Sequence, residues 1–292
     1  MSVFTPDSST RPRAPRVDAG RDFSLALSVK FVPVAWSRSV KLRGFLTVAV
    51  IGGVLIAGDP FQRVVVAGLG RLLPGRKLAI LTWWERFLAN YILWAARVVG
   101  GAHIASPPAL PGREGVLVLM NHQSVLDIPL VVAALQPLHP RIITRARYSR
   151  GKPLISHMTR LYQYPVVEPR ANARTQITAL AENARTSPVP MMIFPEGTRT
   201  RNGEIGQWKE GGLRGILGAR KWMVYLLVVD GYWESARLVD FMENVSTIEG
   251  RAVALGPFDG PEPGADPERF IAEMRERMIR ALASLRAGAP AA

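Results

Sequence analysis

The chain has 292 residues, a formal net charge of +14 and no cysteine. Its length allows one sizeable core, or a core plus a small accessory unit. The lack of cysteine excludes disulfides and a thiol nucleophile. The positive charge predicts an acidic partner: nucleic acid, an anionic bilayer or a phosphorylated substrate. An apolar content of 48% with seven tryptophans favours a membrane surface over nucleic acid, because tryptophan is enriched at bilayer interfaces.

The composition divides the chain into three predicted regions. Residues 1–22 are polar and rich in Pro, Ser and Arg, which is typical of a disordered basic tail. Residues 23–105 carry the longest apolar runs and are predicted to anchor the protein to a membrane through helices. Residues 106–292 are predicted to form the main domain, and the Pro/Gly-rich stretch 106–114 is a natural linker at its start.

Two apolar segments define the predicted anchor. Residues 44–58 are a run of 15 uncharged residues that ends at a break signal, Asp59–Pro60. As a helix this run would measure about 22 Å, short of the ~30 Å core of a bilayer. The second segment, residues 78–99, carries Trp83 and Trp84 near its start, and basic residues flank both segments.

Basic flanks prefer the cytoplasmic side. The flanks therefore predict a hairpin that dips into one leaflet of the inner membrane from the cytoplasm, or a short span with an interfacial helix. A pair of buried helices in a soluble protein is the alternative.

Beyond the linker, strand patterns alternate with helical patterns. Such alternation predicts an α/β fold with a mostly parallel sheet flanked by helices. The predicted strands are 115–120, 141–145, 164–168, 189–194, 223–229 and 251–255. The predicted helices are 124–136, 151–162, 172–185, 209–219 and 267–287.

A polar stretch from Asn121 to Asp127 directly follows the apolar strand 115–120. Open α/β sheets place their chemistry at this end of a strand. His122 and Asp127 would not share a face of a regular helix, so we expect His122 in the turn and Asp127 in the first turns of the helix. The carboxylate can then hold one imidazole nitrogen while the other takes a proton, as in a general base with an orienting acid. A capping histidine and a surface aspartate are the plainer interpretation of this motif alone.

A second polar stretch, Phe194-Pro195-Glu196-Gly197-Thr198-Arg199, follows the strand 189–194. The two stretches, Asn-His-x4-Asp and Phe-Pro-Glu-Gly-Thr-Arg, resemble the first and third motifs of the glycerolipid acyltransferase family, and both are complete here. The resemblance covers residues 84–232. It implies that residues 106–292 are an α/β acyltransferase domain. The family reaction moves a fatty acyl group from an acyl thioester to a lysophospholipid.

The resemblance also implies the parts of the site. His122 and Asp127 would be the catalytic dyad, and no metal or cofactor would be needed besides the acyl-CoA or acyl-carrier-protein thioester. Apart from the resemblance, backbone N–H groups at the start of helix 124–136 are candidates for part of an oxyanion hole. The acceptor, lysophosphatidic acid in the type member, would yield phosphatidic acid. Seven residues would bind it by the same resemblance: Arg145, Arg170, Glu196, Gly197, Thr198, Arg199 and Lys209.

Two departures from the family pattern leave other hypotheses about the function open. Tyr164 stands where the second motif normally has glycine, and residues 226–230, at the fourth motif, contain no proline. A related acyltransferase that acts on another lysolipid, such as a lyso-aminolipid, is therefore an alternative. A non-catalytic basic protein that binds anionic lipid or nucleic acid is a third reading; no nucleic-acid-binding signature supports a nucleic acid as partner.

Overall fold

The computed structural model describes Met1, residues 38–168 and residues 172–288. Residues 2–22 of the predicted tail and Arg170 lie outside the described residues. Residues 38–168 and 172–288 belong to one compact unit. Contacts continue across the predicted boundary between residues 105 and 106. The division into a membrane anchor and a catalytic domain therefore stays a prediction about function.

An antiparallel pair of long helices begins the described part, as the flanks and apolar runs predict. Its first arm is α1 (Arg38–Phe61), a π-helical turn (Gln62–Val66) and α2 (Ala67–Leu72); its second arm, after a 3-10 turn (Pro74–Arg76), is α3 (Lys77–Trp94) and a π-helical turn (Ala95–Val99). We call residues 38–99 the helical hairpin. Its first arm has the length and composition to cross a membrane over Lys41–Leu72, and only 17% of its most apolar stretch is buried.

The prediction that the helix breaks at Asp59–Pro60 is wrong, because α1 continues past Pro60. Proline lacks the N–H group of a regular helical hydrogen bond. A π-helical turn, a common adjustment within a helix, begins two residues later. Tertiary contacts stabilise this region: the Asp59 carboxylate accepts a hydrogen bond from the backbone N–H of Leu154, 2.8 Å away. Gly58 lies so close to Leu154 that a Cβ would come within 2.7 Å of its side chain.

The main domain is built on a six-stranded sheet in the order β1-β10-β9-β3-β8-β5. Its neighbouring strands are parallel except β9 and β10, which are antiparallel. Two further ladders, β2 with β4 and β6 with β7, are parallel and separate. The strands are β1 (His103–Ile104), β2 (Leu110–Gly112), β3 (Val116–Met120), β4 (Leu135–Pro137), β5 (Arg141–Ile142), β6 (Thr144–Arg145), β7 (Val166–Val167), β8 (Met191–Ile193), β9 (Met223–Asp230) and β10 (Glu249–Asp259).

Helices cover both faces of this sheet, which confirms the predicted α/β class. The remaining helices are α4 (Asp127–Ala134), α5 (Ile155–Leu161), α6 (Ala173–Arg185), α7 (Glu210–Ala219), α8 (Leu238–Asn244) and α9 (Glu268–Ala287). One core joins α3 and α4 to one face of β3, and the other joins α7 and α9 to the opposite face. All five residues of β3 are buried, which explains why this strand is a continuous apolar run rather than an alternating pattern.

The carboxyl ends of β3, β8 and β9 meet at one edge of the sheet. Leu119 of β3 pairs with Ile193 of β8, and Met120 of β3 pairs with Leu227 of β9. The residues that follow β3 and β8 are those of the two polar motifs. The topology therefore brings together two stretches that lie about 70 residues apart in the sequence.

Candidate active site

His122 and Asp127 are in direct contact at this edge. His122 lies in the turn after β3, and Asp127 is the first residue of α4. The Nδ1 atom of His122 lies 2.6 Å from Oδ2 of Asp127. The Asp127 side chain is fully buried, whereas 14% of the His122 side chain is exposed. The histidine is thus the accessible partner of the pair.

The local fold fixes the Asp127 carboxylate. Its Oδ2 atom also accepts hydrogen bonds from the backbone N–H groups of Gln123, at 2.7 Å, and Ser124, at 2.8 Å. A carboxylate held by two backbone donors cannot turn away from the imidazole without breaking charge-assisted hydrogen bonds. The backbone N–H groups of Gln123 and Ser124 are thus engaged, and that of Leu126 donates to the Ser124 hydroxyl. The predicted oxyanion donors at the start of this helix stay a prediction.

An aromatic ring holds the other side of the imidazole. Phe194, which follows β8, stacks on His122 with 3.8 Å between ring centroids and an interplanar angle of 17°. The Nε2 atom of His122 has no hydrogen-bond partner among residues 38–168 and 172–288. The ring is therefore fixed by a carboxylate at Nδ1 and by stacking on one face, while Nε2 stays available for a proton.

Glu196 joins the two motifs. Its Oε1 atom accepts the backbone N–H of His122 at 3.0 Å, and its Oε2 atom accepts that of Gly206 at 2.9 Å. The side chain is buried, and burial raises its pKa from the ordinary value even though both backbone hydrogen bonds lower it. A second hydrogen bond between the two motif regions runs from the backbone N–H of Thr200 to the His122 carbonyl, at 2.8 Å. In this geometry both carboxylate oxygens of Glu196 contact the protein.

The loop of the second motif turns sharply at Gly197. Its φ of +63° lies in the left-handed region that favours glycine, and a Cβ there would meet the Lys209 side chain at 3.0 Å. A guanidinium nitrogen of Arg145 donates to the Gly197 carbonyl. Gly197, Lys209 and Arg145 are thus brought together, and Thr198 beside them is exposed.

Arg199 contacts the segment before α8. Its Nη1 atom donates to the carbonyl of Ala236 at 2.8 Å. The same segment is tied to the first motif, because the Ser124 hydroxyl donates to the Ser235 carbonyl at 3.0 Å. Arg199 and Arg145 therefore bind different segments, although the resemblance assigns both to the acceptor.

A basic cavity of about 630 Å³ opens beside Arg145. Arg147 and Arg150 line it together with Arg145, and Glu168 contributes a carboxylate at its margin. Cavities with several guanidinium groups suit phosphate, which they bind in a forked geometry.

Several residues around the site were assigned no role from the sequence. Asn121 bridges β3 to β9, since its side chain both donates to the Val229 carbonyl at 2.8 Å and accepts the Val229 N–H at 2.9 Å. Gln123 donates to Asp230 at 3.3 Å, and Arg286 of α9 binds the same carboxylate. The polar character of Asn121 and Gln123 directly after a buried strand was the available signal; nothing in the sequence links Arg286 to them.

Comparisons with known proteins agree with this geometry. Residues 101–226 match the acyltransferase family. The fold is similar to the crystal structure of the 1-acyl-sn-glycerophosphate (LPA) acyltransferase PlsC from Thermotoga maritima, with a TM-score of 0.63 and 17% sequence identity over 85% of this chain and 95% of that one. At this identity the likeness concerns the fold. No curated protein sequence matches the chain.

These findings define the class of the matched domain. The domain match covers both motifs, and the fold places both at the carboxyl ends of neighbouring strands. Residues 101–226 are an acyltransferase domain by this match. The resemblance of the two motifs to the glycerolipid acyltransferase family agrees with this domain and with the similar fold of the solved structure.

Proposed function

We propose that the protein transfers a fatty acyl group from acyl-CoA or acyl-carrier protein to the free hydroxyl of lysophosphatidic acid and so forms phosphatidic acid. The observation that carries this proposal is the His122–Asp127 pair at the carboxyl edge of the sheet, with Nε2 of His122 unengaged. The acyltransferase domain match supports the reaction type. The solved structure of similar fold is that of an LPA acyltransferase, which favours this acceptor.

The proposed chemistry is a direct transfer. The acceptor hydroxyl gives its proton to Nε2 of His122 as its oxygen attacks the thioester carbonyl, and Asp127 stabilises the imidazolium at Nδ1. The tetrahedral intermediate then expels the thiolate, which takes the proton back from Nε2. A positioned base of this kind contributes about 10²–10⁴-fold to the rate. Since the thioester is already activated, the reaction needs neither a covalent acyl-enzyme nor a further cofactor.

The acceptor phosphate is proposed to lie in the basic cavity. Arg145 is at its inner end, next to Gly197 and Lys209, and Arg147 and Arg150 line the remainder. Glu196 is proposed as a positioning residue rather than a ligand for glycerol hydroxyls, because its two oxygens hold the backbone at His122 and Gly206. Arg170 stays a predicted acceptor ligand.

The helical hairpin is proposed to hold the enzyme on the cytoplasmic face of the inner membrane. Its first arm is apolar and mostly unburied, and large apolar side chains such as Phe45, Trp83 and Phe87 are exposed along both arms. Aromatic residues of this kind favour the bilayer interface. A lysolipid acceptor then reaches the site from the membrane in which it dissolves.

The test is acyl transfer by the purified protein in liposomes, with acyl-CoA and acyl-carrier-protein thioesters offered separately. Lysophosphatidic acid is compared with a panel of other lysolipids that includes a lyso-aminolipid. The proposal expects the highest kcat/KM with lysophosphatidic acid, and one donor clearly preferred. A higher kcat/KM with another lysolipid would identify that lysolipid, instead of lysophosphatidic acid, as the acceptor. The observation that favours that second candidate is Tyr164, which replaces the usual glycine and donates its hydroxyl to Glu85 of α3.

A further inference from the structure

A second basic cavity lies at the amino-terminal ends of the strands, whereas the dyad lies at their carboxyl ends. It has a volume of about 150 Å³, room for about five water molecules at ~30 Å³ each. Arg141, which begins β5, and Val189, which precedes β8, place it at the amino ends of the strands. Its lining includes Lys77, Leu78, Leu81, His139 and Gln163. The catalytic chemistry uses none of these residues.

Arg141 is a buried charge without a counter-charge. It is 7% exposed, and its guanidinium donates to the Gln163 side chain at 2.5 Å and to the carbonyl and side chain of Asn183 at 3.4 and 3.3 Å. All of these acceptors are neutral, and in the described part of the chain no carboxylate forms an ion pair with Arg141. Burying an unpaired charge costs several kcal/mol by general estimates. A bound anion would supply the missing partner.

The other polar groups of the cavity reinforce its positive potential. Lys77 is the first residue of α3, where the helix dipole adds positive charge, and within residues 38–168 and 172–288 it has no carboxylate partner. His139 is buried beside Arg141 and contacts the Thr82 hydroxyl at 2.8 Å through Nδ1. Burial and the neighbouring guanidinium lower the pKa of His139 to about 4, so at neutral pH the ring offers polar contacts without charge.

Gln163, which orients the Arg141 guanidinium, has a φ of +56°. A left-handed conformation of this kind is energetically unfavourable for a non-glycine residue and often marks functional sites. This backbone conformation belongs to the residue whose side chain accepts a hydrogen bond from the Arg141 guanidinium. Gln163 therefore holds the guanidinium in one orientation at the cavity.

The surroundings of the cavity select a lipid as the source of the anion. Lys77 directly follows the turn that joins the two arms of the helical hairpin. Exposed leucines lie on both sides of this turn, at Leu72, Leu73 and Leu78. Arg71 directly precedes the first of them, and Arg76 lies between Leu73 and Leu78 in the sequence. An apolar tip with basic residues matches the boundary between acyl chains and anionic headgroups. A soluble anion would need no such tip.

We propose that this cavity binds the phosphate of an anionic phospholipid headgroup, with Arg141 and Lys77 as its ligands. The lipid would fix the hairpin turn to the membrane surface at a site distinct from the acyl-transfer site. Leu78 and Leu81 would contact the first carbons below the headgroup.

The test is flotation of the intact protein with vesicles of phosphatidylcholine alone or with phosphatidylglycerol. Phosphatidylglycerol is neither acceptor nor product of the proposed reaction, so the result does not depend on that proposal. At about 0.5 M salt the Debye length falls to ~4 Å, and exposed charges contribute little. Under these conditions we expect the wild type to bind phosphatidylglycerol vesicles about tenfold more tightly, and Lys77→Gln and Arg141→Lys each to lose most of this preference. Thermal unfolding checks that the variants fold.

The matched control is Arg76→Gln, which removes the charge next to Lys77 but outside the cavity lining. It is expected to keep the preference at high salt. Equal loss in the control and Lys77→Gln, or a wild-type preference in folded Lys77→Gln, would overturn the proposal. A wild-type response to inorganic phosphate as strong as to the vesicles, measured by thermal shift, would overturn the choice of a lipid as ligand.

Discussion

Replacing Glu196 by glutamine tests how the two motifs are joined. The carboxylate accepts two backbone N–H groups, those of His122 and Gly206, at 3.0 and 2.9 Å. A glutamine offers one oxygen and one NH₂ group, so one of these N–H groups would face a donor. An unpaired buried donor costs about 1–3 kcal/mol. Because burial raises the pKa of Glu196, a neutral side chain recovers part of this, and the expected net loss of unfolding free energy is about 1–2 kcal/mol.

The kinetic effect of Glu196→Gln should fall on kcat. A displacement of His122 approaching 1 Å can cost on the order of 10²-fold, so we expect kcat to fall about 10- to 100-fold with the acceptor KM little changed. Initial rates in liposomes over a range of acceptor concentrations separate the two constants. Glu182→Gln, an exposed carboxylate paired with Arg185, is the matched control and should behave as wild type. A wild-type kcat with a strongly raised acceptor KM would refute the positioning role and identify Glu196 as an acceptor ligand.

Two further predictions concern charged side chains other than those of the dyad. Burial raises the pKa of Glu85 from 4.5 to about 8, so between these pH values the folded state holds a proton that the unfolded state has lost. The free energy of unfolding should therefore fall by up to ~1.4 kcal/mol per pH unit as pH rises from ~4.5 to ~8. Denaturant unfolding at several pH values should show this slope in wild type, and Glu85→Gln should lack it; an equal slope in both would contradict the assignment. Arg286→Ala removes a guanidinium that binds Asp230 and Glu204, and should lower stability by about 1 kcal/mol, given its partial exposure, and reduce kcat. Arg277→Ala on the same helix is the control, and equal effects of the two would argue against the network.

The strands and motif positions were predictable because their signals are local. β3 is a continuous apolar run, and the polar residues directly after it place His122 in a turn before α4. The five-residue spacing then leaves Asp127 within reach of Nδ1. The contact at 2.6 Å is what that spacing predicts when the first residue lies outside the helix.

Features that depend on distant residues were not predictable. β1, β2 and β4 have only two or three residues each, too few for a periodic pattern. The antiparallel direction of β10 follows from the sheet rather than from its own sequence. The helix continues through Pro60 because Leu154, about 95 residues away, packs and hydrogen-bonds against it. A local break signal is outweighed there by tertiary contacts.

The two polar motifs illustrate the same limit. Their order and completeness carry the resemblance to the family, yet they do not show how Glu196 is used. Only the pairing of β3 with β8 brings it under the backbone of His122. Phe194 was part of a recognised motif, and its stacking on the imidazole became visible only with the ring positions.

The most direct test of the account is the rate of acyl transfer by His122→Ala beside wild type, with both proteins shown to be folded by thermal unfolding. If Nε2 of His122 takes the acceptor proton, the substitution should lower kcat by at least ~10²-fold, while the KM values for donor and acceptor change little. Wild-type activity in the folded variant would contradict the assignment of His122 as the base and, with it, the mechanism proposed for this site.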